Sequence, residues 1–453
     1  NENFTTRVIG LGEQLADKAK LVFKVNTGAA VFGLGYIIGL KYSFIICLGS
    51  FAVWWLIVPL ISILFHDQVL NMWNPAITDT VGNMSPELIF KEYGKNIGIG
   101  GIAMAGIIGI IKSWGIIKGA VSLAAKEMKG NNNPDKEQLR TQRDLSFKII
   151  AIGSIVTLLI TFIFFWFGIM DGNLLFAVVG IVLVAVIAFL FTTVAANAIA
   201  IVGSNPVSGM TLMTLILASV VMVAVGLKGT AGMVAALIMG GVVCTALSMS
   251  GCFITDLKIG YWLGTTPKKQ ESWKFLGTLV SAATVGGVMI LLNETYGFAS
   301  GQLAAPQANA MAAIIDPLMN GAGAPWLLYA IGAVIAVLLT FCKIPAIAFA
   351  LGMFIPLELN TPLLIGGIIS WYVTTRSKDA AANNERGEKG TLIASGFIAG
   401  GALMGVLSAL LRFGGFNPID EAWLANPLSE ILSLGAYIML ILYFVYATKV
   451  KKA

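Results

Sequence analysis

Two apolar stretches of this chain contain helix-breaking residues beside uncharged polar side chains. The first covers residues 195–211 and reads AANAIAIVGSNPVSGMT. Pro206 lacks a backbone N–H and pushes the residue before it away from helical geometry. Backbone groups freed at such a break bind ions and polar solutes. We predict an unwound or re-entrant element over 195–208. Its candidate substrate-binding residues are Asn197, Ser204, Asn205, Ser208 and Thr211. The alternative is a proline kink satisfied by its own hydroxyl groups.

The second stretch, residues 303–321, reads LAAPQANAMAAIIDPLMNG and predicts another broken or re-entrant segment over 304–320. Gln307 and Asn309 offer amide groups to a substrate. Asp316 is the first candidate for proton coupling, because a carboxylate at membrane depth is costly and usually has a functional role. Capping of a helix before Pro317 is the alternative. We expect both stretches to line one wet cavity, since an unpaired polar group in lipid costs several kcal/mol.

A second proton-coupling candidate is Asp256, in the segment TDLKIGYWLGTTPKK over 255–269. The alternative interpretation is a turn that holds a span against the headgroups. Glu294 and Glu358 lie at the ends of predicted spans, where a solvated interface residue is the more common finding.

The elements that position these residues must be membrane helices. Hydrophobic residues make up 57% of the 453-residue chain, charged residues 11%, and the mean hydropathy is +0.86. Soluble domains carry about 25% charged residues. Continuous apolar runs, without alternation, predict an all-α polytopic integral membrane protein. We predict thirteen spans besides the two broken segments: 27–40, 42–65, 97–118, 147–169, 173–194, 209–226, 230–251, 274–292, 325–342, 344–357, 362–376, 390–411 and 429–447.

Basic loops orient these spans. Lys and Arg concentrate in 119–146, 252–273, 377–389 and the C-terminal tail, which share one side if 304–320 does not cross. That side is the cytoplasm by the positive-inside rule. The loop 66–96 then lies outside and is either a structured element with a short interfacial helix or a plain connector. The net charge of +6 follows from this bias and predicts no nucleic-acid partner.

Other chemistries find no support in the sequence. The four cysteines have no metal-ligand spacing, and His66 is the single histidine, so we expect no metal site. No phosphate-binding GxxxxGK[ST], GxSxG or HExxH motif stands out, so we expect neither an enzyme nor a cofactor. A proton is the expected coupling ion.

An internal repeat organises the chain. Residues 29–54 read AAVFGLGYIIGLKYSFIICLGSFAVW, and residues 346–371 read AIAFALGMFIPLELNTPLLIGGIISW. Without gaps, Gly35 meets Gly352, Gly49 meets Gly366 and Trp54 meets Trp371. We predict repeat units over 27–118 and 344–411, of opposite sense unless 304–320 crosses. They lie in portions 1–292 and 293–453 of one continuous membrane domain.

Several segments together resemble the oligopeptide transporter (OPT) superfamily, which includes the yellow-stripe-like metal-chelate transporters. They are NTGAAVFGLGYIIG (26–39), SNPVSGMT (204–211), TDLKIGYWLGTTPKKQ (255–270), PQANAM (306–311), APWLLYAIGAVIA (324–336) and IPAIAFALGMFIPLELNTPLLIGGIISW (344–371). The resemblance implies a fold of about sixteen helices built from repeats, so we expect this chain to lack an N-terminal part. It also implies proton-coupled import of small peptides or metal–chelator complexes.

We therefore predict a proton-coupled symporter in the cell membrane, with a small solute and the lipid bilayer as partners. A gated channel that uses the same broken helices is the alternative. A channel conducts without a proton gradient, whereas a symporter saturates and needs one. A homo-oligomer is compatible with these features.

Overall fold

The computed structural model describes residues 3–71, 77–112, 115, 118, 139–170, 172–202, 207–298, 306–320, 325–416, 423 and 426–449. Predicted residues Ser204 and Asn205 lie outside these ranges. The chain forms two compact units. One comprises Asn1–Ile102, Val288–Pro306 and Pro325–Ala453, and the other comprises Ala103–Gly287 and Gln307–Ala324.

Nearly all of the described secondary structure is helical, as the sequence predicts. The helices are α1 (Gly10–Ala19), α2 (Ala29–Ile38), α3 (Leu40–Phe51), α4 (Val58–Leu64), α5 (Pro86–Ile89), α6 (Lys95–Lys112), α7 (Phe147–Phe164), α8 (Leu174–Val202), α9 (Val207–Val225), α10 (Gly229–Leu263), α11 (Pro267–Tyr296), α12 (Pro306–Asn320), α13 (Trp326–Phe341), α14 (Ala346–Phe354), α15 (Leu357–Thr375), α16 (Ala380–Phe413) and α17 (Pro427–Ala447). A two-stranded antiparallel ribbon pairs β1 (Asn3–Thr5) with β2 (Lys24–Asn26).

Each predicted apolar segment coincides with a described helix. Seven helical stretches are long and apolar enough to cross a membrane: Leu40–Leu64, Arg140–Ile169, Leu174–Ala196, Gly229–Leu263, Pro267–Tyr296, Ala380–Phe413 and Pro427–Ala447. Their exposed side chains include many large apolar ones, among them Leu, Ile, Val and Phe, as expected of surfaces that face lipid. The protein is a multi-pass membrane protein.

Helices α2 and α14 are only half as long as a span. They contain ten and nine residues, or about 15 Å and 14 Å of helix, against a hydrocarbon core of about 30 Å. Each ends at a break in the corresponding place of the two repeats. Gly39, at φ +81°, separates α2 from α3, and Pro356 separates α14 from α15.

The two repeats pack against each other by a reciprocal rule. Gly35 lies against the carbonyl of Leu363, and Gly352 lies against the carbonyl of Ile46. Exchanging each residue for its counterpart 317 positions away, Gly35 for Gly352 and Leu363 for Ile46, turns one contact into the other. Gly49 with Phe349 and Gly366 with Phe32 form a second such pair of contacts. This reciprocity defines a pseudo-two-fold axis between α2–α3 and α14–α15.

The repeat is inverted. If the two-fold axis ran along the helices, Ser43 would lie at the same height as its counterpart Asn360. Gly367 lies seven residues further along α15, about 10 Å from that height, and would then be out of reach of Ser43. A Cβ atom on Gly367 would nevertheless lie 2.9 Å from the Cβ atom of Ser43. The axis therefore crosses the helices, and α3 and α15 run in opposite directions.

The tryptophan match in this repeat is not reflected in similar packing. Trp54 is 2% exposed and stacks on Phe90 at 4.5 Å between ring centroids, while Trp371 is 55% exposed. In the first copy, Trp54 lies in a six-residue π-type turn, Ala52–Ile57, which changes the direction of its side chain relative to an α-helix. In the second copy, Trp371 lies within the α-helix α15.

Candidate functional site

The first predicted break is confined to a shorter segment than the sequence suggests. Helix α8 continues through Asn197 to Val202, so the prediction of an unwound element from residue 195 is wrong for 195–202. These residues are mostly Ala, Ile and Val, and Pro206 disturbs only the residue before it and the carbonyl four residues back, at the end of α8. Helix α9 begins at Val207 and includes Ser208 and Thr211. The Thr211 side chain is 2% exposed.

The second predicted break is also wrong for the described residues. Pro306–Asn320 is one 15-residue helix, α12, that runs through Pro317 without interruption. Pro306 stands at its first position, where a missing N–H costs nothing. Gln307 and Asn309 lie in its first turn. At about 22 Å, α12 is too short to cross the bilayer core alone, so its re-entrant character stays a prediction.

The two stretches nevertheless pack in one compact unit. Met210 and Met213 of α9 share a hydrophobic cluster with Ile315 and Met319 of α12. A Cβ atom on Gly232, at the start of α10, would lie 2.9 Å from the Met319 sulfur. The structure thus packs α12 against α9 and the start of α10. The role of their polar side chains in binding stays a prediction.

The two proton-coupling candidates have different surroundings. Asp316 is exposed on α12, where its Oδ1 accepts a 2.5 Å hydrogen bond from the Asn320 side chain. Asp256 on α10 forms an ion pair with Lys274 of α11, and its backbone carbonyl accepts a 3.2 Å hydrogen bond from Gln270. Lys274 therefore compensates the charge of Asp256, whereas Asp316 has a neutral partner.

Polar side chains at the two repeat breaks were missed by the sequence analysis. The Ser43 hydroxyl donates to the carbonyl of Gly35 at 3.3 Å, and Asn360 Nδ2 donates to the carbonyl of Gly352 at 3.1 Å. Ser43 and Asn360 are themselves 317 positions apart and are both fully buried. The signal was present in the gapless alignment, which pairs a polar residue with a polar residue four positions after each break.

Charged residues connect the N-terminal ribbon to the loop 66–96. Glu87 Oε2 lies 2.9 Å from Arg7 Nη2, and Glu87 Oε1 lies 3.0 Å from Lys24 Nζ. Of the two interpretations of this loop, a structured element rather than a plain connector agrees with the structure. Ser85 caps α5, and the Tyr93 hydroxyl donates to the carbonyl of Leu70. The ribbon also contacts α15, where the Thr361 hydroxyl donates to the carbonyl of Lys24 at 2.7 Å.

Comparison with known proteins identifies the family. Residues 1–412 match the family of OPT oligopeptide transporter proteins. This chain belongs to the OPT family. It is also 26% identical to a Haemophilus influenzae protein named "Putative oligopeptide transporter", over 96% of this chain and 74% of that relative. The family resemblance found from the sequence motifs is thereby confirmed.

In this OPT protein no group of three or more His, Cys, Asp or Glu side chains within the described ranges is placed to hold a metal ion.

The ion pairs of Glu87 predict a pH-dependent stability in this protein. Burial raises the pKa of Glu87, but its pairs with Lys24 and Arg7 outweigh burial and hold the pKa below its ordinary value of 4.5. The carboxylate therefore stabilises the fold above about pH 4.5, and this contribution disappears as the pH falls through the lowered pKa. We expect E87Q to lower the unfolding free energy by about 1 kcal/mol at pH 7 and by much less at pH 3.

Thermal unfolding of the wild type and E87Q across this pH range measures the difference. E13Q, which changes an exposed carboxylate on α1, is the matched control and should follow the wild type at every pH. A constant gap between E87Q and the wild type from pH 7 to pH 3 would contradict the ion-pair account.

Proposed function

We propose that this protein is a proton-coupled symporter that imports small oligopeptides. Membership of the OPT family, over residues 1–412, is the observation that carries the proposal. The name of the Haemophilus relative supports peptides as the solute class. The inverted repeat is consistent with it, because secondary transporters commonly alternate access by moving one repeat against the other. Metal–chelator complexes are the second solute class that the superfamily resemblance implies.

Uptake into proteoliposomes tests this function. The purified protein is reconstituted and offered a panel of di- to hexapeptides and metal chelates, with and without an inward proton gradient. We expect saturable accumulation of at least one peptide class that depends on the gradient. Accumulation of the chelates alone would show that metal chelates, and not peptides, are the transported solutes. Fast flux that neither saturates nor needs a gradient would identify a channel.

The substrate is proposed to bind along α9 and α12. Asn197, Ser204, Asn205, Ser208, Thr211, Gln307 and Asn309 are the binding residues proposed from the sequence. Asp316, and after it Asp256, are the proposed proton carriers. Amides and hydroxyls suit a peptide because they match its backbone groups without holding it as tightly as an ion pair would.

Removing one of these amides should weaken binding without unfolding the protein. We expect Q307A and N205A each to raise the half-saturation concentration for peptide uptake about tenfold. This factor corresponds to about 1.4 kcal/mol, the contribution of one hydrogen bond to the peptide. N384A removes an exposed amide at the start of α16 and is the control, expected to leave uptake unchanged. Unaltered kinetics in both test variants would remove these residues from the binding site.

A further inference from the structure

Glu358 is the acidic residue whose surroundings are hardest to explain structurally. It lies in the first turn of α15, directly after the break at Pro356, and its Oε2 atom is buried without a hydrogen-bond partner. The acidic groups described above have polar partners: Glu87 pairs with two cations, Asp256 pairs with Lys274, and Asp316 accepts a hydrogen bond from the neutral amide of Asn320.

A structural role does not account for this placement. A carboxylate in the first turn of a helix gains about 0.3–1 kcal/mol from the helix dipole while remaining exposed. Burying one of its oxygens without a donor costs about 1–3 kcal/mol, and more for a charged group. The cost exceeds the gain, so a helix-capping role would favour an exposed Glu358.

The internal repeat gives an independent comparison. The counterpart of Glu358, 317 positions earlier, is Lys41, which is exposed in the first turn of α3. Because the repeats are inverted, these two helix starts lie towards opposite sides of the membrane. The positive-inside rule explains a lysine at the cytoplasmic start. It does not call for a half-buried acid with one inaccessible oxygen at the outer one, so the glutamate is a specific feature of the second copy.

Other unpartnered polar atoms occur on the elements around the outer turn of α15. Asn360 Oδ1, Ser50 Oγ and Trp54 Nε1 are all buried without a hydrogen-bond partner. Lys24 connects this region, since its Nζ atom lies 5.8 Å from the centre of the Trp54 ring and its carbonyl accepts a hydrogen bond from the Thr361 hydroxyl. Buried polar atoms of this kind serve water or a mobile group in folded proteins.

We infer that Glu358 is a proton-carrying carboxylate of the transport cycle, an inference that rests on the proposed symport. Its carboxylate takes one proton from the outer water, forming an O–H bond and losing its charge. The neutral acid later releases that proton to the inner water, which restores the carboxylate. Sealing an ionised carboxylate from water is costly, whereas the neutral acid can be sealed at a much lower cost. Protonation would therefore permit closure of the outer end of α15.

Several elements that pack against α15 carry charged or titratable groups. The elements packed on α15 carry Lys24 on β2, Tyr36 on α2, Lys41, Tyr42 and Cys47 on α3, and Glu385, Arg386, Glu388, Lys389 and Arg412 on α16. Among these, Lys24 is tied to the outer turn of α15 by the Thr361 hydrogen bond. Lys24 in turn pairs with Glu87, which limits its ability to neutralise a second carboxylate.

Separating driven uptake from exchange tests the inference. Wild type, E358Q, E358D and E294Q are reconstituted, and a labelled tripeptide is followed in two assays. One is accumulation under an inward proton gradient, and the other is exchange against internal unlabelled peptide at equal pH. E294Q neutralises an exposed acid at the end of α11 and is the matched control.

We expect E358Q to lose gradient-driven accumulation at least tenfold while its exchange stays within about twofold of the wild type. E358D should keep gradient-driven accumulation with a shifted pH profile, and E294Q should behave as the wild type. Gradient-driven accumulation by E358Q within twofold of the wild type would overturn the inference alone. If E358Q does not fold, an unshifted pH profile of uptake by E358D would overturn the inference instead. A wild type without peptide uptake would instead refute the proposed function.

Discussion

Alanine at position 352 should lower the unfolding free energy of the protein by about 3 kcal/mol, the upper end of the usual cost of overpacking. A Cβ atom on Gly352 would overlap the carbonyl oxygen of Ile46, which belongs to the backbone of α3 and cannot rotate away. The helices must therefore separate at the contact that relates the two repeats. Thermal unfolding in detergent measures the effect, which we expect to be a fall in Tm of about 3 °C for a chain of this length.

The reciprocal packing provides both replicates and a control for this prediction. G35A, G49A and G366A meet carbonyl groups in the same way and should destabilise the protein comparably. G396A lies within α16, where nothing would approach the new Cβ atom within 4 Å, and should be neutral or stabilise by up to about 1 kcal/mol. Equal Tm values for G352A and G396A would refute the close crossing of α3 and α14.

Truncating Asn360 to alanine should cost about 3 kcal/mol, whereas truncating its counterpart Ser43 should cost about 1 kcal/mol or less. The asymmetry has a specific cause at the breaks. In the first copy, the Gly35 carbonyl also accepts the backbone N–H of Gly39 at 3.1 Å. The counterpart of Gly39 is Pro356, which has no N–H to offer. Asn360 supplies the missing donor to Gly352 and a second one, at 3.0 Å, to the Ile355 carbonyl.

Comparison of N360A with S43A by thermal unfolding checks this account, because the two residues occupy equivalent sites in one molecule. Both are fully buried, so a difference in solvent access does not enter. N360D retains the size of the side chain but lacks the amide donors, and should resemble N360A. Equal losses for N360A and S43A, or a stable N360D, would contradict the role of the proline.

The sequence predicted the helical membrane fold and the family, because long apolar runs and family motifs are local signals. It ended the predicted spans 27–40 and 344–357 close to Gly39 and Pro356, but it treated them as spans, whereas α2 and α14 are only half as long as a span. It also treated Glu358 as an ordinary interface residue. The burial of its Oε2 atom depends on how other elements pack around α15, which no local pattern encodes.

The candidate site was predictable only in part for a related reason. Proline and glycine indicated breaks near residues 195–208 and 304–320, yet α8 and α12 extend through much of both segments. Helix propensity of Ala and Ile together with packing prevailed over single breaking residues. The composition of both segments suggested that they lie near each other. It did not indicate which side chains would pair with Asp256 and Asp316. Lys274, the partner of Asp256, lies eighteen positions away on another helix.

Counterflow in proteoliposomes tests the central claim of peptide symport by alternating access most directly. Vesicles that contain the purified protein are loaded with unlabelled tripeptide and diluted into a trace of labelled tripeptide, with equal pH on both sides. An alternating-access transporter exchanges one for the other, so labelled peptide should rise transiently above its outside concentration and then decline. Labelled peptide that only approaches the outside concentration, with no overshoot at any internal load, would contradict transport and identify a pore.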